Sequence, residues 1–198
     1  MKESKLKNIS LNKILTFICR MHSNDLFQKA SKIFISVGAM IAGANLNFEL
    51  LTSIASFQSF FLCFTAILFG AQIGLISQLV YLVLGLFFPV FASGLSGIAA
   101  FTAHTSGFLF AFPLAAYLVG SLSQRHADWF SIFSFCVFGH FILMLSQFLW
   151  LVLIRKVAVE TAIFSSMLNL LPWAFFKSAL VTALVILSQF FKIKFRKS

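Results

Sequence analysis

Charge is what this sequence has least of. Of 198 residues only five are acidic, and no Asp, Glu, Lys or Arg occurs from residue 50 to residue 124. Charged residues make up 10% of the chain, against about a quarter in a water-soluble domain. A stretch so poor in charge has hydrocarbon, not water, as its main solvent. Cysteine is scarce as well. Cys19, Cys63 and Cys136 are odd in number and fit no metal-ligand spacing, so neither a disulfide framework nor a thiolate metal knuckle is expected. Cys63 and Cys136 lie in apolar runs and read as small hydrophobes.

Catalytic signatures are missing too. There is no GxxxxGK[ST] to cradle ATP, no HExxH, no GxSxG and no pair of carboxylates. His22, His104, His126 and His140 show no ligand spacing. His140 stands mid-span in FGHFIL and is expected to hydrogen-bond between helices. Catalytic residues, a metal and a cofactor are therefore not expected, and the chain is read as a non-enzyme.

What is present is apolar: 60% hydrophobic residues, 28 Phe and a mean hydropathy of +0.98. A spanning helix takes roughly 20 mainly apolar residues, so the length admits about six spans in one domain. We expect an all-α integral membrane protein, a bundle of six transmembrane helices. They run near 33–46, 57–70, 73–87, 107–122, 130–154 and 171–191. The first could extend back to Phe27. Gly70-Ala71-Gln72 reads as a tight turn.

Charge location then sets orientation. Seven of the fifteen basic residues lie in the first 32 positions and four more close the chain: Lys192, Lys194, Arg196 and Lys197. Basic ends belong on the cytoplasmic side and suit anionic lipid head groups. Residues 1–30 read as a basic cytoplasmic segment, either an interfacial helix or a tail. Residues 31–191 form the transmembrane domain, and 192–198 a basic cytoplasmic tail. Both termini are placed on the cytoplasmic side of a bacterial cytoplasmic membrane, which the chain crosses several times. Arg155 and Lys156 in the outward 5–6 loop breach the pattern. No basic stripe interleaves with exposed aromatics, so nucleic acid is not an expected partner.

Four features carry candidate chemistry. Lys177 stands in LPWAFFKSALVTALVILSQFF, just after Pro172, a residue suited to a helix's first turn. At 1.5 Å per residue it sits about 8 Å below that helix's outer end. A cation in a span usually marks function, here an anionic ligand such as a carboxylate. The plain alternative is a long stem snorkelling to the head groups.

The 3–4 loop is the second feature. It carries Pro89-Val90-Phe91-Ala92-Ser93-Gly94 and later Ala103-His104-Thr105-Ser106-Gly107-Phe108. Phe87, Phe88, Phe91 and Phe108 offer apolar cover beside a few polar groups, as ligand pockets do. Alternatively its glycines simply turn the chain. Gln58, opening span 2, is either a ligand contact or an interhelical hydrogen bond. Gly38, Ala39, Ala42 and Gly43 give two interleaved small-xxx-small pairs, for a partner helix or for packing inside this chain.

The order YLVLG…PVFASG…TSGFL…AAYLVG between Tyr81 and Gly120 resembles the BioY family, the biotin-binding S-components of energy-coupling factor (ECF) vitamin transporters. The resemblance covers most of residues 33–190. It implies biotin as transported ligand, held by Lys177, Gln58, Phe91, Ser93, Gly94, His104, Thr105, Gly107 and Phe108. It also implies a coupling subunit docked on Gly38, Ala39, Ala42 and Gly43, with cytoplasmic ATPases behind it. The chain departs from the family in two places. PGDxxK becomes Pro172-Trp173-Ala174-Phe175-Phe176-Lys177, so the Asp that accepts from the ureido ring is Ala174. GPTGGY becomes Ala103 to Phe108, with His104 for Pro and Ser106 for Gly. Gln58, Ser93, Asn169 or loop carbonyls are the expected substitutes for the lost acceptor. Alternatives are an S-component for another carboxylate-bearing vitamin, lipoate- or niacin-like, or a non-transporting membrane scaffold.

Overall fold

The computed structural model describes residues 25–50, 53–126 and 128–197. The interfacial segment expected over 1–30 lies almost wholly outside the described residues.

The first helix, α1, runs over residues 25–45, so span 1 does reach back past Phe27. A hairpin follows where a plain loop was expected. Strand β1 (Asn47–Leu50) pairs antiparallel with β2 (Ser53–Ser56), Asn47 opposite Ser56 and Leu50 opposite Ser53. Its base closes on α1, because the Phe57 amide donates to the carbonyls of Gly43 (3.1 Å) and Leu46 (3.0 Å).

Helix α2 (Gln58–Phe69) and α3 (Ala71–Phe87) are joined by Gly70 alone. Its φ of +88° and ψ of 171° lie in a region open essentially only to glycine. The 3–4 connection is structured. It contains a single 3₁₀ turn (Ala92–Gly94) and a short helix, α4 (Gly97–Thr102). Helix α5 (Ser106–Ser123) carries Pro113 inside it and is the hub of the bundle, packing on α2, α3 and α6. Its Ala111, Phe112, Ala115, Ala116 and Val119 are buried.

Helix α6 (Trp129–Leu149) begins at Asp128, whose carboxylate accepts from the Ser131 amide at 3.0 Å, an N-cap. It ends in a π turn, Trp150–Ile154. The 5–6 connection holds α7 (Val159–Ile163) and a second π turn, Phe164–Leu168. Helix α8 (Leu171–Lys197) has Pro172 in its first turn. It continues helical through the segment expected to be a tail.

All six apolar segments are therefore helical, with two extra short helices in the connections. The expected count of six spans is only partly met. Among the described residues, four helical runs are long and apolar enough to cross a bilayer: Ala71–Gly94, Ser106–Ser123, Trp129–Ile154 and Val159–Phe190. Helix α2 is apolar but has 12 residues, about 18 Å of rise against a hydrocarbon core of about 30 Å. Helix α1 carries Lys29 and Lys32 near its start.

The bundle turns large apolar side chains outward, among them Phe34, Val83, Phe110, Phe141, Leu153 and Phe190. So wide an apolar exterior suits lipid rather than water. Toward the Gly70 turn, small residues let the helices pack closely. A Cβ on Gly120 would stand 2.7 Å from the Ala71 backbone, and one on Gly139 would stand 2.5 Å from Val119.

Candidate ligand-binding site

At the opposite half, two cavities share a wall. The first lies among the starts of α2 and α8, the start of α5 and the middle of α6. It is lined by Lys177, Ser59, Phe108, Phe112, His140 and Ala174 among others, and holds about 490 Å³ of atom-free space, open mouth included. The second runs under the 3–4 connection and is lined by Phe91, Ser93, His104, Thr105, Leu109 and their neighbours, with about 890 Å³ measured the same way. Ser56, Gln58, Phe108 and Phe112 line both. Mostly apolar walls carrying a few polar groups are those of small-molecule sites.

Lys177 is 6% exposed, so its stem does not snorkel to the outside. Its ammonium donates to the Ser56 carbonyl (2.8 Å) and to the Ser59 hydroxyl (3.0 Å). An ammonium has three donors, which leaves one for the cavity that it lines. Among the described residues, no acidic side chain lines either cavity, and Lys177 is the single Lys or Arg in them. The chemistry on offer is one fixed cation in an apolar chamber, which favours an anion with an apolar body.

Gln58 joins a hydrogen-bonded relay. The Ser56 hydroxyl donates to its Oε1 (2.9 Å), its Nε2 donates to the Tyr81 oxygen (2.7 Å), and the Tyr81 hydroxyl donates to the Val90 carbonyl (2.8 Å). The hairpin, α2, α3 and the 3–4 connection are thereby tied at one point. Gln58 is thus both an interhelical bond and a cavity wall.

Phe91 anchors the same loop. Its ring meets Tyr81 edge-on at 5.3 Å and Phe101 at 5.7 Å, and lies so close against Gly85 that a Cβ there would overlap it. Ser93 lines the second cavity with a left-handed φ of 61°, a conformation that costs a non-glycine residue about 1–3 kcal/mol.

Some expected contacts lie elsewhere. Phe87 and Phe88 are exposed and line neither cavity. Gly94, with φ of 69°, turns the loop and lines neither. Gly107 lines neither and faces α6 instead. A Cβ there would stand 2.6 Å from the Gln147 Cα, and the Gly107 carbonyl accepts from Ser146 at 2.7 Å. Asn169, expected as a substitute acceptor, lines neither cavity. The small-residue stripe on α1 divides. Gly38 and Ala42 face outward, with open space where a Gly38 Cβ would stand, whereas Gly43 packs on Phe57 and Phe61 within this chain. Ala39 is half-buried between the two faces.

The sequence did not reveal the supports. Gln147 donates to the His104 carbonyl (2.8 Å), Trp150 to that of Ala103 (3.0 Å) and Arg155 to that of Thr102 (3.3 Å). Ser106, fully buried, donates to the carbonyls of Ala100 and Ala103. These bonds fasten the roof of the second cavity to the end of α6.

Three comparisons bear on this arrangement. A curated protein of Pyrococcus horikoshii, described as a probable biotin transporter BioY, is 31% identical over 94 residues, 47% of this chain and 58% of that protein. The chain thus spans little more than half of that relative's length. The fold is similar to a crystal structure of the S-component for biotin from an ECF-type ABC transporter. The TM-score is 0.73 at 20% identity, over 82% of this chain and 90% of that one. The BioY family model matches residues 20–192, and the chain belongs to the BioY family.

Proposed function

We propose that this chain captures biotin and takes it up across the cytoplasmic membrane, as the substrate-binding subunit of an ECF-type transporter. The observation that carries the proposal is Lys177, a buried ammonium with a donor to spare, in the wall of an apolar cavity. The biotin carboxylate takes that donor. The fused rings lie at the wall that the two cavities share, against Gln58, Phe108 and Phe112, with Phe91, Ser93, His104 and Thr105 beyond them in the second cavity.

Six spans carry the cavity, with the basic ends 1–30 and 192–198 on the cytoplasmic side among anionic lipids. No phosphate-binding loop is present in the sequence, so uptake driven by ATP requires partners. A coupling subunit and cytoplasmic ATPases fill that role, the former docking on the outward pair Gly38 and Ala42. Biotin is cargo, not a cofactor.

Ala174 in the cavity wall favours a second reading, a different small vitamin with a carboxylate, lipoate- or niacin-like. Equilibrium binding of labelled biotin to the purified full chain, in competition with lipoate, niacin and desthiobiotin, separates the two. Biotin is expected to win. Failure to bind it below micromolar concentrations discards the first reading.

A further inference from the structure

His140 is buried in the middle of α6 and lines the Lys177 cavity. Its Nδ1 lies 2.8 Å from the Cys136 carbonyl, which can only accept, so Nδ1 carries a proton. The Ser178 hydroxyl of α8 lies 3.3 Å from the same nitrogen. The ring is therefore held from two helices, and its other nitrogen is set in place.

That nitrogen, Nε2, is buried and has no partner among the described residues. Of the buried side-chain atoms left so, it is the one whose residue lines this cavity. The other polar groups there are engaged: Ser56 and Ser59 with Lys177, and Gln58 with Ser56 and Tyr81. Lys177 already brings one positive charge to the chamber, and a second beside it is unfavourable. The ring is then neutral, and Nε2 presents a lone pair.

We infer that His140 Nε2 accepts a hydrogen bond from an N–H of the captured ligand. The cavity thereby reads two features at once: an acid by the ammonium of Lys177, and an amide- or urea-type N–H by the imidazole. Nearby Ala174, Leu143 and Leu170 offer no side-chain acceptor, and Met144 only a weak thioether. This rests on the reading of the cavity as the biotin site and assigns the side chain that recognises the urea.

The test uses the full chain in detergent and two ligands, biotin and biotin methylated on both urea nitrogens. The natural chain prefers biotin. His140→Ala weakens biotin binding roughly ten- to a hundredfold and narrows the gap between the two ligands. His140→Gln keeps an acceptor near the position of Nε2 and retains most of the affinity and the gap. In ¹⁵N spectra of the natural chain, the Nε2 resonance of His140 moves on adding biotin, which a purely structural ring would not show. Should His140→Ala fail to fold, the glutamine variant and the spectra decide. An unchanged gap in a folded His140→Ala, or an unmoved resonance, overturns this inference alone. Absence of biotin binding to the natural chain overturns the cavity reading and this inference with it.

Discussion

Replacing Lys177 by Met separates what the ammonium does for the fold from what it does for a ligand. Met nearly matches the stem in length and carries no charge. In the unliganded chain two terms oppose each other. The ammonium makes two hydrogen bonds, to Ser56 at 2.8 Å and Ser59 at 3.0 Å, each contributing about 1.5–3 kcal/mol for a charged donor. Against them stands the withdrawal of an ion from water, several kcal/mol after relaxation. The two nearly cancel, so the melting temperature of Lys177→Met is expected to stay within a few degrees of the natural chain or to rise. Binding has no such compensation. Loss of one charge-assisted bond to a carboxylate removes about 1.5–3 kcal/mol, roughly a 10- to 150-fold weaker Kd. Calorimetric titration with biotin and with its neutral alcohol analogue reads this directly. The natural chain favours the acid, and the variant treats the two alike. A variant that still prefers the acid refutes the carboxylate assignment. A steep loss of melting temperature, with affinity falling in step, would make Lys177 a structural pin.

Three further outcomes are expected. Gly85→Ala drives a methyl into the Phe91 ring, at a cost of about 1–3 kcal/mol for overpacking; a lower melting temperature with faster amide exchange over residues 88–95 checks it. Tyr81→Phe deletes the hydroxyl between Gln58 and Val90, leaving buried partners unmatched for about 1–3 kcal/mol; weaker ligand binding with α2 and α3 intact by circular dichroism is the signature. The Ser131 amide holds the Asp128 carboxyl below the usual carboxylate range, so the cap acts above that range and fades as pH falls through the depressed value. Asp128→Ala should melt lower than the natural chain near neutrality and converge with it as pH falls through the depressed value; a gap that persists in strong acid contradicts the cap.

The helices were legible because an apolar run names its solvent, and Gly70 and Pro172 punctuate them. Lys177 was legible for the converse reason, a lone charge inside such a run. The hairpin was not, because residues 47–56 carry no turn-forming Gly, Pro or Asn between the strands. Tyr81, Gln147 and Trp150 were missed for another reason. Their partners are backbone carbonyls 9, 43 and 47 residues away, and every residue type has a carbonyl. Neither could the stripe on α1 be divided by spacing. Neighbouring positions on a helix point about 100° apart, so Gly38/Ala42 and Ala39/Gly43 look alike in sequence yet face different surroundings.

The small residues that lock α2, α3, α5 and α6 together near the Gly70 turn have a mechanical corollary. With Gly120 seated on the Ala71 backbone and Gly139 on Val119, these helices meet with no room for a side chain at either contact. A methyl group at either position would have to push one helix off its neighbour, so this end of the bundle tolerates the least change in side-chain volume.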